Sequence, residues 1–312
     1  MRTHTGWLLG CALGLSACVT PNEPTIAPQP RPERVAPAPQ SLPSAQSRQL
    51  SSYYGRLQAD LLAQGLLRTD GGGPDVPFGR RDLVENFVRI ALFDEYATRG
   101  GRLIQRQTEA NLRRWGEPVR FGVAFGETVP QAQRSKDRAL IAGYASRLAR
   151  VTGHPISVSD ANANFHVLIL NEDERRAIGP TLRTLVPGIS ETSVRTVETM
   201  PRSILCIVLA FSQGAGNHSY SKAVAVVRGE HADLMRQSCV HEELAQGLGL
   251  ANDSPTARPS IFNDDEEFGL LTRQDELLLK TLYDRRLTPG MNAATARPIV
   301  ETIAAELLGG ES

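Results

Sequence analysis

The residues whose types and spacing could do chemistry lie in one segment, Glu242-Glu243-Leu244-Ala245-Gln246-Gly247-Leu248-Gly249-Leu250-Ala251-Asn252. On a helix, Glu242 and Gln246 stand four residues apart and share a face. Glu243 projects beside that pair. Gly249 can end the helix with a positive φ and turn the chain, which brings Asn252 back toward the same face. Glu242, Gln246 and Asn252 offer oxygen donors, which suit hard cations. Zn²⁺ instead favours imidazole and thiolate. Cys239 precedes Glu242 by three residues and shares part of its face. His241 has no partner four residues on, because position 245 is Ala, so it reads as a helix-surface residue or a support behind the site. Weaker signals lie elsewhere. Asn263-Asp264-Asp265-Glu266-Glu267 is an acidic run that reads as a solvated loop, with Ca²⁺ binding as the alternative. His154, His166, His218 and His231 are scattered and read as structural, and no Gly-x-Ser-x-Gly elbow is present.

These residues need elements to position them. Residues 233–248 read as the carrying helix, followed by a polar loop. Residues 119–125 and 156–158 read as strands, and 165–170, 204–211 and 223–227 as buried strands. Residues 131–151 form a long amphipathic helix, and 272–283 and 294–308 are closing helices. Upstream, Leu50, Leu57, Leu61, Leu62 and Leu66 predict a helix over 48–67, broken by Asp70-Gly71-Gly72-Gly73-Pro74. Leu83, Phe87, Ile90, Ala91 and Phe93 predict another over 81–97, and a third helical stretch runs to about Arg114. The expected organisation is an N-terminal helical region at 46–115 and a domain at 116–312, of α+β class, with a mixed sheet behind the helix of interest.

The spacing of the segment resembles that of the metzincin zinc peptidases, His-Glu-x-x-His-x-x-Gly-x-x-His. That resemblance implies a zincin-like mixed sheet, a long active-site-type helix and C-terminal helices. It puts Glu243 at the general-base position and Glu242, Gln246 and Asn252 at the three zinc-ligand positions, all of them changed from His. Ser260-Ile261-Phe262-Asn263 resembles the turn under the zinc site, with Phe262 where that clan has Met. Leu271-Thr272-Arg273-Gln274-Asp275, then Leu282-Tyr283, resembles the final helix. The chain as a whole also resembles an uncharacterised family of proteobacterial lipoproteins that shares the Glu-Glu-Leu-Ala-Gln and Ser-Ile-Phe-Asn-Asp phrases.

The N-terminus reads as an address. Arg2, the apolar stretch from Trp7 to Leu15, and Leu15-Ser16-Ala17-Cys18 match a lipoprotein signal peptide over 1–17, with Cys18 as the lipidated residue. Residues 18–45 form a tether, and eight of the 20 prolines lie between Pro21 and Pro43. Val19, rather than Asp, follows the cysteine. This favours a lipid anchor in the outer membrane facing the periplasm, with the inner membrane as the alternative. In that oxidising compartment Cys206 and Cys239 are a disulfide candidate, against two separate buried thiols.

The 312 residues carry 34 Lys+Arg and 34 Asp+Glu, a balance that argues against a nucleic-acid partner. No apolar run reaches the roughly 20 residues of a spanning helix. Two functional readings follow. In the first, the protein is an envelope lipoprotein whose degenerate, non-catalytic domain binds a peptide, a protein or an envelope polymer without a cofactor. In the second, it is a peptidase-like hydrolase that uses Glu243 as general base with zinc or another divalent metal in an atypical site.

Overall fold

The computed structural model describes residues 41–99, 102–214, 216–263 and 265–309. The expected signal peptide, the lipid site at Cys18 and the tether up to residue 40 lie outside the described residues. In chain order the elements are α1 (Ala45–Ala63), α2 (Arg80–Ala91), β1 (Phe93–Arg99), β2 (Arg102–Glu109), β3 (Arg114–Trp115), β4 (Val119–Phe125), α3 (Gln131–Thr152), β5 (Ile156–Val158), β6 (Phe165–Leu170), α4 (Glu172–Arg176), α5 (Gly179–Leu185), α6 (Glu191–Glu198), β7 (Cys206–Ser212), β8 (Ser219–Arg228), α7 (Asp233–Gln246), α8 (Arg273–Leu282) and α9 (Ala293–Leu308).

The sheet is built by apolar alternation. Side chains along a strand point to opposite faces in turn. Phe165, Val167 and Ile169 of β6, with Ala223, Ala225 and Val227 of β8, enter one core shared with α2, α3, α7, α8 and α9. Leu168 and Leu170, with Val224, Val226 and Ile207, enter a second core under α5 and α6, where Leu182, Val194 and Val197 meet them. Both faces are covered, which is why these strands read as continuous apolar runs. The order is β3-β8-β6-β4-β5, all parallel, and β7 pairs antiparallel with β8. The class is α+β, as expected.

Two helical expectations are corrected. Residues 93–114 are not helical. β1 and β2 form an antiparallel hairpin from Phe93↔Glu109 to Arg99↔Arg102. The sequence between them is Gly100-Gly101, a two-residue connection suited to a hairpin, and cross-strand pairing overrides the helical pattern that ends at Ala91. The first helix closes at Ala63 rather than 67. Gly65 turns with φ 78°, and the amides of Leu67 and Arg68 donate to the carbonyls of Glu266 and Glu267. Leu83, Phe87 and Ile90 of α2 share the main core with Phe262, Leu278 and Val300.

Cys206, at the start of β7, is disulfide-bonded to Cys239 in α7, 33 residues away. The bond ties an edge strand to the helix that carries the site. A loop of that length gives about 3–4 kcal/mol by the chain-entropy argument. Denaturant unfolding with and without reductant should therefore differ by about 2–5 kcal/mol. The double variant Cys206→Ala/Cys239→Ala should match the reduced protein and be insensitive to reductant.

Candidate functional site

The helix α7 begins with Asp233 in its first turn, where a carboxylate offsets the positive end of the helix dipole. Met235, Cys239, Val240, Leu244 and Ala245 bury its inner face. Arg236 anchors it to α3 through a buried ion pair, its Nε 2.8 Å from both carboxylate oxygens of Asp137. At its end the backbone passes too close to its neighbours for side chains. A Cβ at Gly247 would meet the Phe165 ring at 2.4 Å. One at Gly249, where φ is +130°, would meet the Arg113 carbonyl at 2.2 Å. Trp115 Nε1 donates to the Gly247 carbonyl at 2.8 Å, and the Tyr283 hydroxyl donates to the Leu248 carbonyl at 3.1 Å.

This anchored helix forms one wall of a cavity of about 590 Å³ whose opposite wall is residues 203–211, including β7. Glu242, Glu243 and Gln246 line it from α7, Ala251 and Asp253 from the turn beyond, and Asp94, Glu95, Arg113, Tyr220 and Glu266 from neighbouring segments. Gln246 Nε2 donates to Asp253 Oδ1 at 3.0 Å. Arg113, the basic residue among the described lining residues, is ion-paired with Asp94. The cleft is therefore crowded with carboxylates. Burial pushes the Glu242 carboxyl well above the ordinary range, and Asp253, Glu243, Glu266 and Glu95 add to the shift by like-charge repulsion. Burial likewise raises Glu243, with Glu95 and Asp253 adding. Glu243 is 4% exposed, and its Oε2 has no hydrogen-bond partner among the described residues.

The sequence-predicted residues fall into two groups. Glu242, Glu243 and Gln246 meet in the cleft, and Cys206 lines it beside the disulfide. Asn252 stands elsewhere. It is fully buried, its Nδ2 donates to the Arg89 carbonyl at 2.8 Å and its amide to the Ile90 carbonyl at 3.1 Å. It thus satisfies the last carbonyls of α2, which have no partner within that helix. Asp253, one residue on, takes the place in the cleft expected of Asn252. Phe262 is fully buried, and its carbonyl accepts from the Ser254 amide at 2.8 Å, so the turn packs against the segment that carries Asp253. Asn263 Nδ2 closes that turn on the Ala257 carbonyl at 2.9 Å. Asp275 of α8 clamps the turn from below, accepting from Ser260 Oγ and the Ile261 amide.

His241 is not a helix-surface residue. It is buried, stacked on Tyr144 with ring centroids 4.0 Å apart, and its Nδ1 accepts from the Leu271 amide at 3.1 Å. Burial, with Arg147 adding, takes its pKa down to about 3, so it stays neutral.

The donor set does not fit the zinc that the metzincin spacing implies. Imidazole and thiolate are missing from the three ligand positions, and Asn252 is engaged with α2. Among the described residues no group of three or more His, Cys, Asp or Glu is placed to hold a metal ion. Asp94, Glu95, Arg113, Asp253 and Glu266 were not legible as cleft residues. Asp94 and Glu95 lie on the hairpin read as a helix, Glu266 stood out only as part of the acidic run 263–267, and Asp253 only through its proximity to the motif.

Residues 80–302 match the family described as Protein of unknown function (DUF2927). No curated protein and no solved structure matches the chain.

The crowding has a measurable cost. A carboxyl whose pKa is raised on folding stabilises the protein below its unfolded pKa and loses that contribution as pH rises through the folded value. Glu243→Gln removes the charge and should gain about 1–3 kcal/mol at alkaline pH. The gain should shrink toward zero as pH falls into the ordinary carboxylate range. Denaturant midpoints across that pH series check this, and a pH-independent difference would contradict it.

Proposed function

The chain belongs to the DUF2927 family of proteins of unknown function, and on that footing we propose that it is a cell-envelope lipoprotein. Its degenerate metzincin-like domain binds an extended cationic segment of a partner in the carboxylate-lined cleft, without cleaving it. The observation that carries this reading is the meeting of a strand edge with a crowd of carboxylates. Among the described residues β7 pairs with β8, and residues 203–211 run along the cleft wall. An edge strand offers its remaining amides and carbonyls to an added strand. A Lys or Arg from that strand would meet Glu242, Glu243 and Asp253. A cation there offsets the repulsion that raises the Glu242 and Glu243 carboxyls, so binding releases protons. The resemblance of residues 242–283 to metzincins supports a peptide-type ligand.

The hydrolase alternative requires a group that activates water near neutral pH. The residues at the ligand positions supply one carboxylate and no imidazole or thiolate, and the raised pKa of Glu243 favours its protonated form. The anchor rests on the sequence Leu15-Ser16-Ala17-Cys18 and on the proline-rich tether that follows it.

Two measurements test the reading. Fluorescence anisotropy with extended peptides of matched length should rank lysine- or arginine-bearing peptides above neutral and acidic ones. The variant Glu242→Gln/Glu243→Gln should weaken them about tenfold or more, as expected for losing charge-assisted contacts. Equal binding of acidic peptides would overturn the proposal, as would peptide hydrolysis abolished by Glu243→Gln. Separately, Cys18→Ser should move the protein from the membrane fraction to the soluble periplasm, and its retention in the membrane would refute the anchor.

A further inference from the structure

A second cavity, of about 920 Å³, lies between α1, α4 and the segment after α6. Its charge is opposite to that of the cleft. Arg175 and Arg228 are each 1% exposed, and Arg56, Arg176 and Arg202 line the same cavity from its rim. Against these five guanidinium groups the described lining residues offer two carboxylates, Glu172 and Glu198.

Glu172 is shared three ways. Its Oε1 lies 2.9 Å from Arg175 Nη2 and 2.8 Å from Arg176 Nε, and its Oε2 lies 2.7 Å from Arg228 Nη1. One carboxylate cannot neutralise three guanidinium groups. Arg228 is otherwise saturated, donating to the carbonyls of Met200, Pro201 and Ile204. Arg175 is not. It donates to the Val197 carbonyl and to Glu172, but its buried Nε has no partner among the described residues. A buried, charged donor left open is costly in a protein interior. The burial of Arg175 beside Arg228 also depresses its pKa, despite Glu172. Arg202 stacks over the Tyr53 ring, its Cζ 4.9 Å from the centroid, which leaves the edge of its guanidinium for a ligand.

We propose that this cavity is an anion site for a phosphate group, held by the rim arginines Arg56, Arg176 and Arg202, with the buried Arg175 and Arg228 adding positive charge behind them. Guanidinium forks match phosphate oxygens in geometry and charge. Two sources share that chemistry, a lipid headgroup at a membrane surface and a free or polymer-borne phosphate. The cavity accommodates either. The proposal is independent of the cleft reading, because the two cavities share no lining residue.

The test uses the full chain carrying Cys18→Ser, so that membrane binding does not come from the lipid. Inorganic phosphate is titrated by calorimetry, and co-sedimentation is measured with phosphatidylglycerol-containing and pure phosphatidylcholine vesicles. Saturable phosphate binding, or binding to the anionic vesicles alone, supports the site, and the arm that responds identifies the source. The exposed triple variant Arg56→Ala/Arg176→Ala/Arg202→Ala should lose about tenfold or more in either arm while keeping the parent melting temperature without ligand. Arg286→Ala, at a distant ion pair with Asp284 and Glu306, should bind as the parent does. No saturable binding in either arm would overturn the proposal. So would equal losses in the triple variant and Arg286→Ala, which would mark a diffuse charge effect.

Discussion

Where α7 ends, the chain runs so close to the Arg113 carbonyl just before β3 and to Phe165 of β6 that only glycine backbone fits. The exit through Gly247 and Gly249 leaves the carbonyls of residues 247 and 248 facing Trp115 and Tyr283, whose side chains bond them. Close-packed interiors do not deform continuously, so this contact fixes where the last turn of the helix lies. Tyr144 adds a second point one turn earlier, donating to the His241 carbonyl at 2.7 Å. The ion pair of Arg236 with Asp137 adds a third, and the disulfide from Cys239 to Cys206 a fourth. The positions of Glu242, Glu243 and Gln246 follow from these four restraints on the helix that carries them.

That rigidity explains how the cleft tolerates its own electrostatics. Like-charged carboxylates in a low-dielectric site repel strongly. A loosely held segment would relax by moving apart or into water. Here the helix is pinned on one side and the hairpin is joined to α2 on the other, so relief comes through raised pKa values and retained protons. The arginine-lined cavity near α1 shows the same principle with the sign reversed. There Glu172 is held between arginines that it does not fully neutralise. The molecule thus holds two clusters of like ionisable groups in fixed scaffolds, the acidic one relieved by retained protons and the basic one only partly neutralised by Glu172. Fixed, desolvated charge is what recognises a ligand of the opposite sign with geometric preference rather than by diffuse attraction.

Much of the fold was legible. The apolar runs at 165–170 and 223–227 became β6 and β8 because a strand covered on both faces needs no polar alternation. The long helix at 131–151 and the closing helices fell within a residue or two of α3, α8 and α9. The hairpin was misread because Leu83 to Ala91 sets a helical pattern that Phe93 continues by chance, while the strand pairing that overrides it lies on the far side of Gly100-Gly101. The site was half legible. Spacing of four residues placed Glu242 and Gln246 together, since that is a property of the helix itself. Spacing alone could not place Asn252, because the turn after Gly249 could deliver either residue 252 or residue 253 to the cleft.

The sequence by itself determined what depends on local periodicity and on residue type. That includes the α+β class, the helix bearing the paired glutamates, the glycine turn after it and the oxygen-only character of the donors. Tertiary structure alone decided what depends on which distant groups need partners. Two carbonyls at the end of α2 lacked them, and Asn252 was drawn inward to supply them, leaving Asp253 in the cleft. Glu95 and Glu266 reached the same space from a hairpin and a loop far away in the chain. Their mutual repulsion, which sets the chemistry of the site, acts across space and leaves no trace in residue order.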